Sequence, residues 1–187
     1  RSGTERLAYA LIIVTVATMT AWILAMLLGL KPIAFLPLDL ALWQWILLRM
    51  LFSFCGVFGF SIMFNSPVRL ATAAGLIGAV SNTLRLELID LYAIPPAAAA
   101  FIGAFLAGIL ASTLKGVAGY PRISLTVPSI VIMVPGLYLY KGFYNLGIME
   151  LATAASWLAS ALLIILALPL GLIFARIATD KTFRYCT

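Results

Sequence analysis

The sequence predicts an all-α integral membrane protein: a polytopic bundle of about six transmembrane helices, one short (about residues 70–83) and one broken at Pro135-Gly136. Three observations predict it. Of 187 residues, 64% are hydrophobic and 10% charged, with a mean hydropathy of +1.15, whereas soluble domains carry about a quarter charged residues. The apolar residues gather into runs long enough to cross about 30 Å of hydrocarbon at about 1.5 Å per helical residue. Polar residues, prolines and glycines punctuate those runs. A fully helical chain of this length would cross about nine times at most, and loops and termini lower that to about five or six.

The first span, Leu7 to Leu30, has no charge and follows Arg1 and Arg6. Its apolar run exceeds that of a signal peptide and no clear small-x-small site follows it, so a retained helix is expected. Lys31, Pro32, Pro37 and Asp39 form a breaker-rich connection. Trp43 and Trp45 then mark a membrane interface at the start of the second span, about Ala41 to Phe64, and Arg49 is expected to snorkel toward that interface. Asn65, Ser66, Pro67 and Arg69 break the helix. The third span, about Leu70 to Thr83, reaches Asn82 and Arg85 after only a short apolar run, and the polar stretch Arg85, Glu87, Asp90 follows it. Pro95 and Pro96 suit the first turn of the fourth span, Ala97 to Leu114. The fifth, about Ile123 to Tyr140, is interrupted by Pro128 and by Pro135-Gly136, where proline removes a backbone donor and clashes with the preceding turn, so it is expected to be kinked or broken. The sixth runs from about Ile148 to Phe174 and ends in Arg176, Asp180, Lys181 and Arg184.

Basic residues orient the spans, because short cytoplasmic loops are enriched in them. Arg1, Arg6, Arg69, Lys115, Arg122, Arg176, Lys181 and Arg184 fall on one side, and Lys31, Arg49, Arg85 and Lys141 on the other. Both termini are therefore expected to be cytoplasmic. The net charge of +6 is scattered singly, which excludes a phosphate-tracking stripe and with it a nucleic-acid partner. With no histidine and only Cys55 and Cys186, no metal centre, disulfide framework or cofactor is expected. No glycine-rich phosphate loop, G-x-S-x-G elbow or histidine metal motif occurs, so the chain reads as a non-enzyme.

Small residues recur every fourth position, as Ala71, Gly75, Ala79 and as Gly103, Ala107, Ala111, which lets helix backbones approach closely in lipid. Two interruptions suggest chemistry. Pro135-Gly136 should leave carbonyls near Val131 and Ile132 without intrahelical donors, and such a break survives in a membrane only against protein or a water-filled cavity. A simple kink is the bland alternative. Tyr138, Tyr140 and Lys141 follow directly, either as part of a substrate site or as interface anchors. Asn65 and Arg69 at one end of the short span, and Asn82 and Arg85 at its other end, are the second set. A half-helix N-terminus with Arg69 or Arg85 suits a carboxylate. Against that, Arg69 satisfies the positive-inside count and Arg85 has Glu87 and Asp90 within local reach. Glu150 is the one acid placed for proton coupling, and also reads as a solvated helix-end residue.

Three segments carry a family likeness: Phe60 to Arg69 (FSIMFNSPVR), Gly75 to Arg85 (GLIGAVSNTLR) and Val127 to Gly147 (VPSIVIMVPGLYLYKGFYNLG). With them the chain resembles the threonine/serine exporter (ThrE) family, and more closely its small, YjjB-like subunit, which corresponds to the C-terminal membrane half of fused exporters. The likeness spans roughly residues 43 to 178. It divides the chain into an accessory helix and connection (1–40), an exporter-like domain (41–178) and a cytoplasmic tail (179–187). The resemblance implies export of threonine, serine or a dicarboxylate such as succinate across a bacterial or archaeal cell membrane, together with a larger membrane partner subunit. Its motif positions are Asn65, Pro67 and Arg69; Gly75, Gly78 and Arg85; and Pro128, Pro135, Gly136 and Tyr140. Two rival readings are a substrate-binding subunit of an energy-coupling factor vitamin importer and a scaffold subunit that transports nothing.

Overall fold

A computed structural model describes residues 3–29 and 40–180. They form seven helices: α1 (Gly3–Leu27), α2 (Leu42–Met63), α3 (Val68–Tyr92), α4 (Pro96–Ala118), α5 (Arg122–Val131), α6 (Gly136–Gly147) and α7 (Leu151–Thr179). Among the described residues there is no strand. Arg1, the connection with Lys31, Pro32, Pro37 and Asp39, and the tail with Lys181, Arg184 and Cys186 lie outside them. All six expected segments are present as helix, the fifth in two pieces. Four are long and apolar enough to cross a membrane: α2, α4 over Pro96–Leu114, the α5–α6 run Arg122–Gly147, and α7. The chain is a multi-pass, all-α membrane protein.

It divides into two compact units. The larger holds Leu40–Gly136 and Leu158–Thr187, the smaller Arg1–Asp39 and Leu137–Trp157. In the larger unit, Gln44 closes the first turn of α2 by accepting from the Ala41 N–H at 2.9 Å. That helix ends where Asn65 turns left-handed at φ 59° and the Ser66 N–H returns to the Ser61 carbonyl at 3.1 Å. Asparagine tolerates this conformation better than most residues. Pro67, extended at φ −57° and ψ 144°, then starts α3.

α3 corrects the expected short span. Its 25 residues continue through Asn82 and Arg85 to Tyr92, long enough for about 37 Å at the α-helical rise. The charges that were expected to end it are accommodated instead. Arg49 of α2 pairs with Glu87 at 2.8 Å and with Asp90, and stands 5.7 Å over the Trp45 ring. Arg49 is thus held between helices rather than snorkelling alone. α3 stops at Ala93, left-handed at φ 51°, where the Ile94 N–H bonds the Leu88 carbonyl at 3.1 Å and Pro95-Pro96 forbids continuation. Pro96 opens α4 as expected.

The small-residue stripes pack as read: Ala71, Gly75 and Ala79 of α3 and Gly103, Ala107 and Ala111 of α4 are all buried. Leu70, Ile77, Ala107, Ala111 and Leu125 form the core between α3, α4 and α5. At Gly171 of α7 a Cβ would lie 2.5 Å from the Phe101 carbonyl of α4, so only glycine permits that approach. Pro128 does not interrupt the fifth span, contrary to expectation. It sits inside α5, where the adjacent Ser129 hydroxyl lies 3.0 Å from the Ala74 carbonyl of α3 and 2.6 Å from the Leu125 carbonyl.

In the smaller unit the α1 hydroxyls of Thr15, Thr18 and Thr20 each return to the carbonyl four residues earlier at 2.8 Å. Their polarity is satisfied within the helix, as an apolar surrounding demands. The sixth span starts at Leu151 rather than at Ile148, because Met149 turns left-handed at φ 65° and Glu150 begins the new helix.

Candidate functional site

The break in the fifth segment falls at Ile132–Pro135. Met133 N–H bonds the Ile130 carbonyl at 2.9 Å and Val134 N–H the Val131 carbonyl at 3.1 Å, tightening the last turn, after which Gly136 N–H bonds Val134 at 2.8 Å. Val131 therefore keeps a donor within its own segment. The carbonyl served from another helix is that of Met133, reached by Arg85 Nη1 at 3.4 Å. Pro135 is buried, and Gly136 is exposed with open space where a Cβ would stand.

Arg85 belongs to a polar relay across three elements. Its Nε donates to Asn82 Oδ1 at 3.1 Å, and Asn82 Nδ2 donates to Ser53 Oγ of α2 at 2.9 Å. Asn82 is 4% exposed and Ser53 3%, so the relay runs through the interior. α4 closes it from the side: a Cβ on Gly103 would lie 3.2 Å from both Arg85 Cβ and the Ser81 carbonyl, and 3.3 Å from Met133 Sδ. Both ligands of the guanidinium in this relay are neutral amide oxygens, and the longer bond, to Met133, is the weaker. Beside it, Ser81 Oγ and Thr83 Oγ1 are buried without a hydrogen-bond partner, a costly state for a hydroxyl in a low-dielectric interior.

The other predicted residues divide by location. Glu87 and Asp90, read as local partners for Arg85, are held by Arg49. Asn65 and Arg69 are exposed at the α2–α3 turn, about 24 Å along α3 from Arg85 at the helical rise. Asn65 has a backbone reason to be there, the left-handed turn. Next to that turn, Phe60, Ser61, Phe64, Ser66, Val127 and Pro128 line a cavity of about 370 Å³. The smaller unit gathers Tyr138 and Lys141 on Trp157: the Tyr138 ring meets it edge-on at 5.5 Å, and Lys141 Nζ stands 4.4 Å over it. Tyr140, half exposed, stacks on Tyr144 at 6.3 Å. Glu150 is exposed, and its Oε2 accepts from Thr153 Oγ1 at 3.2 Å in the first turn of α7.

Sequence reasoning passed over Ser53, Ser81 and Thr83. A signal was present: Ser81, Asn82 and Thr83 are three consecutive polar residues inside an otherwise apolar run. The model of the family described as Threonine/Serine exporter, ThrE, matches residues 49–178. No curated protein and no solved structure matches the chain.

Proposed function

The chain belongs to the threonine/serine exporter (ThrE) family, and from that premise we propose that it is a membrane subunit exporting a small amino acid whose carboxylate is held by Arg85. The observation that supports this reading is the 3.4 Å bond from Arg85 to the Met133 carbonyl at the helix break. A carboxylate accepts from a guanidinium about twice as strongly as a neutral carbonyl and can do so through two parallel bonds. It would therefore displace Met133 from Arg85. The released Met133 carbonyl, Asn82 Oδ1 and Ser81 Oγ are acceptors for the substrate ammonium, and Ser81 also suits the side-chain hydroxyl of threonine or serine.

The relay's balance of one guanidinium and several neutral acceptors fits a zwitterion better than a dicarboxylate, since among the described residues the relay itself holds no second cation. Threonine and serine thus rank above succinate. Asn65 and Arg69 flank the neighbouring apolar cavity as an access point, and Tyr138, Tyr140 and Lys141, which belong to the smaller unit, are candidates to be tested by substitution in their own right. Glu150 is the coupling acid to test on this chain, with a larger partner subunit as the alternative source. In this reading residues 41–178 form the transport domain, 1–40 an accessory helix, and both termini face the cytoplasm of a bacterial or archaeal cell.

The test is efflux of preloaded labelled threonine, serine and succinate from cells expressing the chain with and without a larger family partner. Efflux of threonine and serine that disappears in Arg85→Ala, at unchanged membrane level, is the expected result. Normal efflux by Arg85→Ala removes the clamp, and no efflux in either background shifts weight to the vitamin-binding and scaffold readings.

A further inference from the structure

We propose that the larger unit carries an oxyanion site for a phosphate group, built by Arg122 of α5 and Arg176 of α7 and separate from the Arg85 relay. These two residues, with Ser112, Thr126, Thr179 and Asp180, line a cavity of about 390 Å³ whose remaining wall is aliphatic. Arg122 is underused where it stands. Its Nη2 is buried with no hydrogen-bond partner, and its Nη1 reaches only the Thr179 hydroxyl at 3.3 Å. Gly108 makes room for that guanidinium, since a Cβ there would lie 3.1 Å from Nη2 and 2.5 Å from the Ala175 Cβ.

A buried guanidinium nitrogen lacking an acceptor is expensive, and the expense disappears when an anion supplies one. The remaining groups suit that anion. Arg176 adds a second guanidinium, whose Nε stands 3.9 Å from Asp180 Oδ2, so a bound anion would share it with that carboxylate. Ser112 and Thr179 lie 3.0 Å apart at the cavity edge, their hydroxyls donating to the Gly108 and Ala175 carbonyls of their own helices, so an anion would engage them only by turning those hydroxyls outward. Two planar forks match the several oxygens of a phosphate better than the two of a carboxylate.

The phosphate has two possible sources, an anionic lipid headgroup whose acyl chains follow the aliphatic wall, or a soluble phosphate. Two arms separate them on the purified full chain in neutral detergent: thermal unfolding with added inorganic phosphate, and with short-chain phosphatidylglycerol against phosphatidylcholine of equal chain length. Saturable stabilisation by phosphatidylglycerol alone assigns a headgroup, and stabilisation by inorganic phosphate assigns a soluble ligand. In either case Arg122→Gln and Arg176→Gln should each weaken the apparent affinity about tenfold or more. Arg176, with a side chain 53% exposed, can be replaced without opening the core, so its variant carries the test if Arg122→Gln does not fold. The proposal is overturned if neither ligand stabilises the unmutated chain, or if the folded variants respond as it does.

Discussion

At the scale of single residues, Asn82 and Gly103 decide whether Arg85 is held in place. Asn82→Ala removes both the Ser53 bond and one Arg85 acceptor. Interhelical bonds of this kind in membranes average about 0.6 kcal/mol and reach about 2. The expected outcome is therefore a folded protein with a modest drop in melting temperature and a larger loss of efflux. Gly103→Val places methyl groups where Arg85, Ser81 and Met133 already stand. Overpacking of about 1–3 kcal/mol should follow, visible as a lower melting temperature in detergent. Arg85 was legible in the sequence as a cation at the end of an apolar run. Its neighbours were not, because an asparagine or serine between helices differs from one in a loop only through the helix opposite it. Asn65 shows the reverse case: its chemistry suggested a ligand, whereas its left-handed backbone explains its place without one.

Among the elements, the break at Ile132–Pro135 was the most legible feature, because proline and glycine act through the backbone and need no partner to be recognised. Pro128 carries the same chemistry and leaves α5 intact, beside Ser129, which bonds the Ala74 carbonyl of α3. The length of α3 was misread for a related reason. A run of Arg85, Glu87 and Asp90 looks like a helix end until Arg49, distant in sequence, is seen to neutralise the two acids. The break yields its own prediction. Pro135→Leu with Gly136→Ala restores a backbone donor and a better helix former, so α5 and α6 should fuse into one helix and withdraw the Met133 carbonyl from Arg85. Efflux should fall to background while the helical circular-dichroism signal holds or rises; unchanged efflux would make the break a matter of shape alone.

For the whole molecule, hydropathy sufficed to count segments because lipid imposes one rule on every helix, that its backbone be satisfied within itself. It could not divide the chain into its two units, since that division depends on which faces meet, and apolar faces look alike in sequence. At this scale the family assignment and the Arg85 relay combine in one expectation: efflux should follow the order threonine and serine over succinate, measured as initial rates at equal internal load. A preference for succinate would mean that a second cation, from this chain or a partner subunit, completes the site.

The clasp of Arg49 on Glu87 and Asp90 also bears on biogenesis. Ionised side chains cost an inserting helix about 2.5–3.5 kcal/mol at its centre and less toward its ends, where Arg49, Glu87 and Asp90 stand. Arg49 and Glu87 are separated by 38 positions, so the first leaves the ribosome on the order of seconds before the second. The expected consequence is that α2 and α3 insert more readily as a pair, with Arg49 facing Glu87 and Asp90, than either does alone. In a glycosylation-mapping assay α3 alone should insert poorly, α2 joined to α3 efficiently, and α2 joined to α3 with Arg49→Leu should lose that advantage.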